Sequence, residues 1–111
     1  MPGQVSSRGS FVTGVAKTWE FFIEESGDLT ETRETLFEVC RHMFGNGYTF
    51  ASDVFNAANV LHKGGQDWTL SDLVSAICGT VEPKWDKEHV RIDLLSFFEV
   101  IHERRARMLA L

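Results

Sequence analysis

Residues 85–109 read WDKEHVRIDLLSFFEVIHERRARML, the longest uninterrupted helical pattern in the chain, and the rest of the sequence reads as material packed around it. At about 100° per residue, Val90, Leu94, Phe97, Ile101 and Met108 fall on one line, and Leu95, Phe98 and Leu109 widen it into a broad apolar face. Asp93, Ser96, Glu99, Glu103 and Arg107 take the opposite, solvated side. Pro83 ends what precedes, Asp86 suits the N-cap, and Trp85 and Val90 occupy the two positions of a hydrophobic staple. Arg104 stands at the edge of the apolar face and Arg105 within it, so burial is expected to stop near Ile101. The last two turns should then project as a basic, amphipathic end.

Four shorter helices are expected upstream of it. The first covers about residues 11–25, with Ser10 as its cap and Phe11, Val15, Trp19 and Phe22 among its inward residues; Gly27 can end it. Phe21 is the exception, since the wheel aims it away from that face, between Lys17, Glu24 and Glu25. The second, about residues 30–44, follows an Asp28 cap and turns Leu36, Phe37, Val39, Cys40, Met43 and Phe44 inward, with Glu34, Glu38, Arg41 and His42 outside. Gly45, Asn46 and Gly47 tolerate positive φ and make a tight reversal, which sets the second and third helices side by side.

The third helix, about residues 50–63 with Thr49 as its cap, places Ala51, Ala57 and Ala58 on its inner face, while Val60 points away. Gly64 and Gly65 stop it. The fourth, residues 70–78, opens on a Thr69-to-Asp72 capping pattern with Trp68 in staple position ahead of Leu73, and Gly79 closes it. No segment alternates with a period of two. The fold expected is therefore all-α: a flexible lead over residues 1–9, then one compact bundle of five helices over residues 10–111, with a long C-terminal helix.

Bulk properties narrow the function classes. A chain of 111 residues buries about two thirds of its unfolded surface and needs no staple to fold. Its 43% apolar content and 12% aromatics belong to a globular protein. A net charge of -5 disfavours wholesale binding to nucleic acid or to anionic membrane. Cys40 and Cys78 both fall on apolar helix faces without CxxC spacing, which reads as two buried free thiols in a reducing compartment. The first ten residues, MPGQVSSRGS, hold no apolar run, and nothing approaches the ~20 apolar residues of a membrane span, so a cytosolic protein is expected.

The chemical motifs are few. GNGY at residues 45–48 is similar to the second half of an EF-hand calcium loop, but the positions that need carboxylates fall on His42, Phe44 and Asp53, and only the last is acidic. Arg91-Ile92-Asp93-Leu94-Leu95 resembles the RxDLL string of death-effector domains, helical modules that assemble signalling complexes. That resemblance implies a polar surface pair of Arg91 and Asp93, although here the string lies inside a long helix and in that family near a helix junction. Glu99-x-x-His102 has di-iron spacing, but the partner motif and the further carboxylates of such a site are missing. No serine sits in a nucleophile elbow, HKGGQDW lacks the ending of a phosphate loop, and Glu24-Glu25 point about 100° apart.

The function expected from this balance is a small non-enzymatic cytosolic protein-binding module without cofactor or metal. It would act as an inhibitor, immunity-type protein or adaptor on a larger partner with a basic surface, through Phe21, Val60, Arg104, Arg105 and Met108; a homodimer is compatible with the same residues. A metalloprotein or enzyme using Glu99 and His102, and nucleic-acid contact through the C-terminal arginines, are the competing classes.

Overall fold

Among the described residues the computed structural model has five helices and no strand: α1 (Val15–Glu24), α2 (Leu29–Val39), α3 (Tyr48–Lys63), α4 (Leu70–Cys78) and α5 (Lys87–Ala110). The described residues are 14–44, 48–65, 67–79 and 85–110. The expected flexible lead, the expected Ser10 cap with Phe11, the Gly45–Gly47 reversal and the Pro83 stop lie outside them.

The caps of α2, α4 and α5 form as expected, whereas Thr49 is no cap, because α3 begins at Tyr48 and holds Thr49 within its first turn. Thr69 accepts from the Asp72 amide at 3.2 Å and Asp72 accepts from the Thr69 amide at 2.9 Å, a complete capping box worth about 1 kcal/mol. Gly79, at φ 77°, closes the same helix. Asp28 accepts from the Glu31 amide at 2.8 Å to start α2, and Asp86 accepts from the His89 amide at 3.0 Å to start α5.

The end of α1 departs from expectation. The residue with positive φ is Ser26, at 73°, not Gly27. Gly27 instead donates its amide to the Phe22 carbonyl at 2.8 Å, the long-range bond of a Schellman motif. A Cβ on Gly27 would stand 2.4 Å from that carbonyl oxygen. Gly27→Ala is therefore expected to break the motif and cost about 1–3 kcal/mol, whereas Ser26→Gly relieves the left-handed strain and gains about 0.5–1 kcal/mol. Thermal unfolding of the two variants should shift in opposite directions.

Packing centres on Trp19, which is fully buried and lies within 6.4 Å, ring centre to ring centre, of Phe22, Phe55, Phe97 and Phe98. Its indole donates to the Asn59 side chain at 3.1 Å, so this large ring enters the core with its one polar group satisfied. At the other end of α5, Trp85 packs edge-on against Phe50 with centres 5.2 Å apart and donates to Asp53 at 2.9 Å, tying the start of α5 to α3. α5 is the long helix expected, but it packs chiefly against α1, α2 and α4, and α3 lies against α2 and α4 instead of against α5. Ile101 is its last fully buried residue; Met108 and Leu109 are exposed.

Two expectations about α2 fail, each for its own reason. The helix ends at Val39 instead of residue 44, because Asp93 of α5 takes the amides of Arg41, His42 and Met43 at 3.3, 3.0 and 2.9 Å, amides that a continuing helix would have bonded to its own carbonyls. Asp93, assigned to a solvated flank by its place on the wheel, is 1% exposed. Phe37, expected inward, is 71% exposed. The buried stripe of α2 runs Thr32, Thr35 and Leu36, and Thr32 can enter it because its hydroxyl donates to the Asp28 carbonyl at 2.8 Å. That rotation of the helix turns Phe37 out.

Candidate functional site: exposed aromatic shelf, acidic groove and basic helix end

Phe37 does not stand alone on the surface. It packs edge-on against Phe44, with ring centres 5.3 Å apart, and the two line a cleft of about 320 Å³ with Arg33, Glu34 and Glu38. The Arg33 guanidinium lies 5.6 Å from the ring centre of Tyr48, which is 51% exposed. The result is a shelf of three aromatic rings at the α2–α3 connection, flanked by charges of both signs. An exposed phenylalanine pair beside a cleft is what an apolar side chain of another molecule can fill. The sequence contained the signal for it, in the Thr32, Thr35, Leu36 periodicity, but threonine at core positions reads as surface.

The residues expected to bind a partner are spread over the molecule. Phe21 is half-buried against the core, so it is a second packing layer more than a projecting contact. Val60 is 69% exposed on α3, as the wheel indicated. Arg104 and Arg105 are half-buried, while Arg107, Met108 and Leu109 are exposed.

A polar cluster joins α5 to the segment that follows α2, with Asp93 buried and His42, His89 and Asp86 exposed. His42 donates from Nδ1 to Asp93 at 3.0 Å and stacks on His89, rings 4.3 Å apart and within 9° of parallel; His89 in turn meets Asp86 at 3.2 Å. Burial pushes the Asp93 carboxyl up, but the His42 imidazole and the three amides outweigh it and hold it below its ordinary value of 3.8. Burial, with the charge of Asp93 and a hydrogen bond to it, pushes the Cys40 thiol up to about 12. Cys78 is raised by burial as well, and both cysteines are free. Thiols held protonated in this way are poor nucleophiles. Asp93 is thus a clamp that joins α5 to the α2–α3 connection, and it forms no surface pair with the exposed Arg91.

Glu99 and His102 are half-buried on α5, and among the described residues no three His, Cys, Asp or Glu side chains are grouped so as to hold a metal ion. No helix among the described residues is long and apolar enough to cross a membrane. Compared with family models, curated proteins and solved structures, the chain matches none.

Proposed function

We propose that the chain is a small non-enzymatic protein-binding module of the cytosol, acting as an inhibitor, immunity-type protein or adaptor by occupying a surface of a larger protein. The observation that carries this reading is the Phe37–Phe44 pair, which leaves a large apolar ring in water beside an open cleft while Phe22, Phe50, Phe97 and Phe98 are buried. Aromatic anchors of this kind supply most of the energy of a small interface, and the charges of Arg33, Glu34 and Glu38 around them select the partner. The net charge of -5 favours a partner with a basic surface.

A photo-crosslinking amino acid placed at Glu38, on the cleft wall, tests this directly. Illumination in cells of the source organism is expected to yield a discrete protein adduct, and Phe37→Ser is expected to abolish it while changing stability by less than about 1 kcal/mol. An adduct of unchanged yield with Phe37→Ser would remove the shelf from the binding surface.

A further inference from the structure

Val60 stands between two clefts that follow the seam of α3 and α4, one of about 440 Å³ and one of about 550 Å³. Val60, Leu61 and Ala76 line both, so the two run together as one groove with an apolar floor. Its rim is acidic: Asp53 lines the first cleft, Asp67 and Asp72 the second, and among the described residues no lysine, arginine or histidine lines either. Trp68, 3% exposed, also lines the groove, and its indole N–H has no acceptor among the described residues.

The complementary chemistry stands at the end of α5. Beyond Ile101 this helix carries Arg104, Arg105 and Arg107 together with Met108 at 47% and Leu109 at 76% exposure. A 24-residue helix is about 36 Å long, close to the 40 Å longest dimension of the molecule, so its last turns lie at the periphery. No α5 residue lines the groove, so the end does not occupy the groove of its own chain.

We propose that the chain associates with itself head to tail, residues 104–109 of one copy seating in the acid-rimmed α3–α4 groove of a second. Leu109 and Met108 cover the apolar floor around Val60, and the arginines face Asp67 and Asp72. The flexible Met108 side chain can adapt to the floor lined by Val60, Leu61 and Ala76. Two different patches meet, so the contact is heterologous and either closes into a ring or extends. The Phe37 shelf stays outside it, free for the foreign partner, and the two readings stand or fall separately.

Sedimentation velocity of the full chain over a micromolar to millimolar range provides the test, with Val60→Glu to block the groove and Leu109→Glu to block the end. Both side chains are exposed, so both variants should keep the wild-type circular dichroism. Wild type is expected to rise from 12.6 kDa to twice that mass or more with concentration, and to fall back when salt is raised from about 0.1 M to about 1 M. Each variant alone should remain at 12.6 kDa, while their equimolar mixture recovers a dimer, because one copy brings an intact groove and the other an intact end. A wild type that is monomeric throughout, variants that associate as well as wild type, or a mixture that stays monomeric would each overturn the proposal.

Discussion

Asp93→Ala is expected to destabilise the fold by about 3–5 kcal/mol, a large part of the 5–15 kcal/mol typical of a domain. The carboxylate accepts from three consecutive amides and from His42, and the substitution leaves those donors without their partner, the Met43 amide among them fully buried. Asp93→Asn keeps the shape but offers a single neutral acceptor, so it should cost less, about 2–3 kcal/mol. The two also differ in pH dependence. The folded-state pKa of Asp93 lies below its unfolded value of 3.8, so its contribution is fully present above that value and is lost as pH falls through the folded pKa. Urea unfolding of wild type and Asp93→Asn should therefore give a gap that is constant at neutral pH and narrows below about pH 4. A gap that did not change with pH would mean that the carboxylate is not the ionised clamp described above.

Trp19→Ala is expected to cost about 3–5 kcal/mol, since it empties the centre of the aromatic core. The hydrogen bond of its indole to Asn59 gives a finer test. Trp19→Phe leaves the Asn59 side chain without that donor, and Asn59→Leu leaves the indole without its acceptor, each at about 1–3 kcal/mol. The double variant removes both ends of the bond, so its cost should fall below the sum of the two by about 1 kcal/mol or more in a double-mutant cycle. Additive effects would show that the bond contributes nothing to holding α1 on α3.

Much of the fold was legible because helix signals are local. The Thr69–Asp72 box, the Asp28 and Asp86 caps and the glycine end of α4 each involve residues within four positions of one another, and each forms as the sequence implies. The α5 apolar line predicts its burial as far as Ile101 for the same reason, since a wheel needs only the helical period. The candidate site was less legible. Val60 was found by its place on the wheel, but Phe37 was hidden by a face of α2 that buries threonines, and Phe21 was read as projecting when its neighbours cover half of it.

The amino-acid sequence by itself thus determined the five helices of the described residues, the starts of α2, α4 and α5 and the existence of a basic, amphipathic end on α5, all through interactions within a turn or two of chain. The tertiary structure decided where α2 stops, that Asp93 is a buried clamp and that Phe37 faces water. The physical reason is distance along the chain. The acceptor that ends α2 lies 50 residues beyond Met43, and a carboxylate enters a core only where folding has brought enough N–H groups together to replace its water.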